Sequence, residues 1–126
     1  MKIADYFETI KERLLIVSFV ADFKISKLVD RSKNGHIRAR VTFTDDSQLE
    51  FSEFVEQNAE DEIRVVTYSY HWSDKNDRLI RRWDNTPHFP KLKHFPHHIH
   101  LKEDDVISGR PIDIFGVLDE IADLLQ

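Results

Sequence analysis

His-Ile-Arg-Ala-Arg-Val-Thr-Phe, residues 36–43, decides the fold. In an extended chain Ile37, Ala39, Val41 and Phe43 face one way and His36, Arg38, Arg40 and Thr42 the other, the pattern of a half-buried strand. Working outward, Asn34-Gly35 predicts a two-residue turn before it, because both residues tolerate positive φ. Asp45-Asp46-Ser47 predicts the turn after it. Upstream, Val17, Phe19, Ala21, Phe23 and Ile25 alternate with mostly polar neighbours and predict a long strand over 15–30. Downstream, Leu49, Phe51 and Val55 predict a third strand, with Phe54 breaking strict alternation. An acidic connection from Glu56 to Glu62 leads to a fourth strand from Ile63 to Ser73, on which Val66, Tyr68, Tyr70 and Trp72 share one face and Thr67, Ser69 and His71 the other. Ser73 to Asp77 is a polar turn, and Arg78 to Asp84 a fifth strand.

The period changes at both ends. Ile3, Phe7, Ile10 and Leu14 predict an amphipathic helix over 2–13; Ile114, Val117, Leu118, Ile121 and Leu125 predict a second, with Pro111 at its first position or Asp113 as its N-cap. Consecutive strands with short turns give an antiparallel meander. The expected fold class is therefore α+β, a sheet of about five strands with the N- and C-terminal helices packed on one face. No linker or repeat divides the 126 residues, so 1–126 is read as a single domain.

Composition narrows the function classes. With no cysteine, disulfide scaffolds, thiol catalysis and thiolate metal sites are excluded. The N-terminus Met-Lys-Ile-Ala-Asp carries charge in its first turns and lacks the apolar core of a signal peptide, and no apolar run is long enough for a membrane span. A soluble intracellular protein is expected. The net charge of −5 is uneven: residues 75–100 carry +4, residues 1–74 carry −4 and residues 101–126 carry −5. Five of the seven histidines, His88, His94, His97, His98 and His100, lie in that basic tract, with His71 just upstream. Pro87, Pro90 and Pro96 forbid a regular central strand or long helix there, so it is expected to be mainly loop or edge structure.

Imidazoles at this density suit proton transfer or metal binding. The sharper reading is cleavage of RNA by its own 2′-hydroxyl, which needs a base, an acid and cations at the phosphorane but no metal. His71, His88, His97 and His98 are the proton-transfer candidates, Arg82 the phosphate ligand, and Asp84 and Asn85 the groups that orient the imidazoles. Arg38, Arg40, Arg81, Lys91 and Lys93 with Tyr70 would bind the nucleic acid. No cofactor is expected; if a metal is held, His98 and His100 are its ligands, with Asp84 or Asp104 supplying an oxygen, and adventitious zinc or nickel is expected on such a tract. Plainer roles stand beside these. Tyr68, Tyr70 and Trp72 at strand spacing suit a core, Arg38 and Arg40 suit a solvated face, Asp84-Asn85-Thr86-Pro87 suits a turn, and any one histidine suits a bond to a loop carbonyl.

Several stretches resemble a known family: Tyr6-Phe7 with Ile10, Ser18-Phe19-Val20, Gly35-His36-Ile37-Arg38, Phe43 to Phe51, Tyr68-Ser69-Tyr70-His71, Leu79 to Pro90, Phe95 to His100, and Val117-Leu118-Asp119-Glu120-Ile121. In this order they are similar to the TumE-like toxins of prokaryotic toxin–antitoxin systems, over nearly the whole chain. Two departures stand out. Asp45-Asp46-Ser47 replaces the usual Asp-Gly-Ser and is expected to change the turn, and Arg82-Trp83 replaces an aromatic followed by Tyr. The resemblance implies a cytoplasmic toxin paired with a cognate antitoxin that carries a helix-turn-helix; RNA is the candidate target, a homodimer is admitted, and no membrane is involved. The alternative is a non-enzymatic module that docks another protein, or a metal-binding protein, through the histidine loop.

Overall fold

The computed structural model describes residues 1–102 and 105–125. The elements run α1 (Ile3–Ile16), β1 (Val20–Asp30), β2 (Asn34–Phe43), β3 (Gln48–Gln57), β4 (Ile63–Ser73), β5 (Leu79–Asp84), β6 (His98–Leu101), β7 (Asp105–Ser108) and α2 (Ile114–Leu124). All seven strands form one sheet in sequence order, and every neighbouring pair is antiparallel. The expected α+β meander is therefore right in kind and short by two strands. Those two, β6 and β7, are only four residues each and lie beyond the proline-rich segment, too short for a period to declare itself. The helical period at the N-terminus also runs further than expected. Leu14 is buried on the helix face, and α1 takes up residues through Ile16 that the alternation had assigned to a strand.

Both helices cover one face of the sheet. Ile3, Tyr6, Phe7, Ile10 and Leu14 of α1 and Ile114, Val117, Leu118 and Ile121 of α2 pack with Ile37, Ala39, Val41 and Phe43 of β2, Leu49, Phe51 and Val55 of β3, Tyr68, Tyr70 and Trp72 of β4 and Trp83 of β5. A carboxylate sits inside this core. Glu53 is fully buried and accepts hydrogen bonds from the Tyr6 hydroxyl of α1, the Tyr70 hydroxyl of β4 (2.6 Å) and the backbone N–H of Ile114 at the start of α2 (2.8 Å). The carboxyl group thus sits at the positive end of α2. Asp113 caps the same helix, its carboxylate accepting from Gly116 N–H at 3.0 Å. Glu53 also accounts for the broken alternation in β3: Glu53 points inward, and Phe54 points outward to stack on His36, with centroids 3.8 Å apart.

Asn34-Gly35 is not the turn it was expected to be. The chain reverses at Arg31–Lys33, with Ser32 in the left-handed region at φ 70°, and Gly35 already lies in β2 with ordinary φ. Its missing side chain serves packing instead. A Cβ there would lie 2.7 Å from the carbonyl oxygen of Val29 and 3.0 Å from the Ile3 side chain.

Candidate functional site

Strand alternation leaves the sheet face opposite the helices polar. The register aligns Arg40, Glu50, His71, Arg82 and His100 in one row across β2 to β6, and Arg38, Ser52, Ser69, Asp84 and His98 in the next. Each row therefore brings together residues far apart in sequence. Arg82 Nε donates to Asp84 Oδ2 at 2.8 Å, and the same guanidinium lies 3.3 Å from His71 Nδ1. Asp84, although 4% exposed, is surrounded by partners: His98 Nε2 lies 2.8 Å from Oδ1, His100 Nε2 lies 3.7 Å from Oδ2, and Thr86 N–H donates to Oδ1 at 3.1 Å. The ring of Phe89, carried by the loop after β5, packs edge-on against His98 and His100 with centroids 5.1 and 6.0 Å away. Beside the cluster a groove of about 510 Å³ runs along Arg38, Glu50, Ser52, Phe54, Ser69, His71, Arg82 and Thr86.

Burial is the main cause of the electrostatics. It pushes His71 below its ordinary value, and the Arg82 guanidinium adds to the shift while Glu50 opposes it. His100 is also pushed down by burial, with Asp84 opposing. Arg82 donates to His71 Nδ1, so that nitrogen carries the lone pair and Nε2 the proton.

The histidine tract divides across the sheet. His98 and His100 join His71, Arg82 and Asp84 on the open face, and His88 lies in the exposed loop next to Phe89. His97, expected in the same cluster, lies on the helix side, its Nδ1 2.9 Å from the Tyr68 hydroxyl beside Tyr6, Pro111 and Ile112. The period of two in the strand that follows separates it from His98. Asn85 does not orient an imidazole. Its side chain accepts from Tyr68 N–H (3.0 Å) and donates to the Val66 carbonyl (2.9 Å), taking the place of one more rung of the β4–β5 ladder. Tyr70 is fully buried on Glu53 and out of reach of any base. Arg81 points to the helix side over the Trp83 ring, whereas Lys91 and Lys93 are exposed in the loop. Arg38 lines the groove and Arg40 lies beside it on the same sheet face, but both are paired with Glu50, at 2.9 and 3.3 Å. Asp104 lies outside the described residues.

Glu50, Ser52 and Ser69 are groove residues that sequence reasoning did not select. Their signal was present, since Glu50 and Ser52 are the polar positions of β3 and face Arg40 and Arg38 once register is known.

The fold and this face define an α+β protein whose one sheet is packed on its helical side and carries a histidine–arginine–aspartate cluster on the other. A family model described as "Toxin TumE" matches residues 7–126, and the chain belongs to that toxin family. No curated protein and no solved structure matches it. No helix among the described residues is long and apolar enough to cross a membrane.

Proposed function

We propose that this toxin acts on RNA at the open face of its sheet, in the cytoplasm, and is neutralised there by a cognate antitoxin carrying a helix-turn-helix. The observation that carries this reading is the contact chain His71–Arg82–Asp84–His98, which sets a neutral base, a cation and a buried carboxylate beside a groove. Arg82 occupies the only lone pair of His71. A phosphodiester drawing the guanidinium onto its non-bridging oxygens releases Nδ1 to take the 2′-hydroxyl proton. The 2′ oxygen then attacks phosphorus and the 5′ oxygen leaves, protonated by the loop imidazole of His88. Asp84 holds Arg82 in place throughout through its second oxygen.

The test is to incubate the purified protein with total RNA and map the new ends, which should carry 2′,3′-cyclic phosphate and 5′-hydroxyl. His71→Ala and Arg82→Gln should each abolish cleavage with the fold retained by circular dichroism. Identical RNA traces for wild type and both variants would remove the nuclease reading. They would favour the alternative, a non-enzymatic module acting by protein contact.

A further inference from the structure

The cluster contains an arrangement that proton transfer does not explain. His98 is 1% exposed, and its Nδ1 lies 2.9 Å from the Pro96 carbonyl oxygen, which can only accept, so Nδ1 carries a proton. In the neutral ring Nε2 is then a bare lone pair. It lies 2.8 Å from Asp84 Oδ1, also a lone-pair donor, in an alignment that makes no hydrogen bond, and Nε2 is a buried nitrogen without a hydrogen-bond partner among the described residues. Two buried lone-pair donors facing each other are relieved either by a proton on Nε2, which makes an imidazolium–carboxylate pair, or by a metal cation, and the missing hydrogen-bond alignment favours the metal. His100 Nε2 faces the same carboxylate, and one donor atom from each of Asp84, His98 and His100 lies within 4.8 Å of the others.

We propose that Asp84, His98 and His100 bind one divalent transition cation of the zinc class. Three features support this over a chance grouping. A metal-bound imidazole characteristically donates its other N–H to a backbone carbonyl or carboxylate, and the Pro96 carbonyl provides that outer partner for His98. Asp84 is held on both oxygens, Oδ2 by Arg82 and Oδ1 by Thr86 N–H, with His98 Nε2 facing Oδ1 and His100 Nε2 facing Oδ2, so the carboxylate is fixed between the two imidazoles. Tetrahedral zinc with nitrogen and oxygen ligands places its donors about 3.3 Å apart. His98 Nε2 lies 2.8 Å from Oδ1 and His100 Nε2 3.7 Å from Oδ2, so a small shift of the carboxylate or of the half-buried His100 brings one oxygen and both nitrogens to that spacing. Two imidazoles with one carboxylate exclude magnesium and calcium, which take oxygen cages, and favour zinc, iron or manganese. Because His100 is half-exposed, a fourth position is open to water or to a substrate oxygen. The proposal takes up the conditional sequence reading in which His98 and His100, with Asp84, are the ligands if a metal is held, and the site stands whether or not the protein cleaves RNA.

The experiment uses tag-free full-length protein, stripped with chelator and then titrated with zinc against a chromophoric competitor, and separately with cobalt followed by its visible absorption. One zinc per chain and the intense visible bands of tetrahedral cobalt are expected. His98 and Asp84 are buried, so the deciding variant is His100→Ala, with the isosteric Asp84→Asn as the second. Each should weaken zinc by about 100-fold or more, since even outer partners are worth roughly 10–100-fold. His94→Ala and His97→Ala should leave the affinity unchanged. Binding that follows His94 and His97 while ignoring His100 and Asp84 would be loop chelation and would overturn the proposal, as would wild-type binding no tighter than that of the triple variant His94→Ala, His97→Ala, His100→Ala.

Discussion

Glu53 shows how a single charged residue can be structural on one side of a strand whose other side is chemical. Burial pushes its carboxyl up, against the hydrogen bonds from Tyr6, Tyr70 and Ile114 that favour the anion. Glu53→Ala leaves the Tyr6 hydroxyl and a helix N–H without a partner in a dry core, with the Tyr70 hydroxyl keeping only its long contact to the Ile112 carbonyl (3.4 Å), and is expected to cost about 3 kcal/mol. Glu53→Gln keeps the shape, lets one hydroxyl turn to accept, and should cost about 1 kcal/mol; urea unfolding of the two variants measures the difference. His71 is the matching case on the open face. Its neutral form persists below the ordinary histidine value of 6.5, because burial and then Arg82 disfavour the imidazolium. Arg82→Gln removes the second cause only, so the His71 titration should move up toward 6.5 without reaching it. A proton NMR titration of the ring would check this, and an unmoved midpoint would mean the two groups are not coupled.

The turns explain how a chain with only three glycines builds this meander. Ser32, Asp46, Asp61 and Asp77 each take a left-handed conformation, with φ between 59° and 70°. Each turn is braced by a side chain, Asp30 on Ser32 N–H, Asp45 on Ser47 N–H, Asn58 on the N–H groups of Glu60 and Glu62, and Asp74 on those of Asn76 and Arg78. Asp46, where the sequence departs from Asp-Gly-Ser, takes a left-handed conformation at φ 69°, the region that glycine enters most easily. Asp46→Gly should relieve that strain and gain about 0.5–1 kcal/mol, read as a raised melting temperature. Strands β2 to β5 were legible because alternation over six or more residues has one interpretation. Strands β6 and β7 were not, since four residues cannot display a period and their pairing with β5 is a long-range choice. For the same reason, the cluster's members could be named from composition, but the separation of His97 from His98 and the use of Asn85 on the backbone depended on register.

At the scale of the molecule, the helix side holds the core and, at its edge, a pocket of about 940 Å³ lined by Tyr68, His97 and Ile112, while the open side gathers His71, His98, His100 and Arg82 around Asp84. The acidic segments, 1–74 at −4 and 101–126 at −5, flank the +4 tract. A basic antitoxin should be drawn to those segments, so its association rate should fall as sodium chloride is raised from 50 to about 300 mM, where screening shortens the reach of surface charge. A rate independent of salt, measured by surface plasmon resonance, would mean the contact is apolar. Trp83 stands between Arg82 and Asp84 in β5 but projects to the other side, where it is buried and donates to Glu120 of α2 at 2.7 Å. The three-residue stretch Arg82-Trp83-Asp84, which supplies two members of the cluster, thus carries an indole shielded from solvent on the opposite face. Its emission becomes an internal optical gauge of the far face: in a Trp72→Phe background, a change in colour or intensity on adding zinc or RNA would report strain passing through the strand, not contact with the dye-like ring.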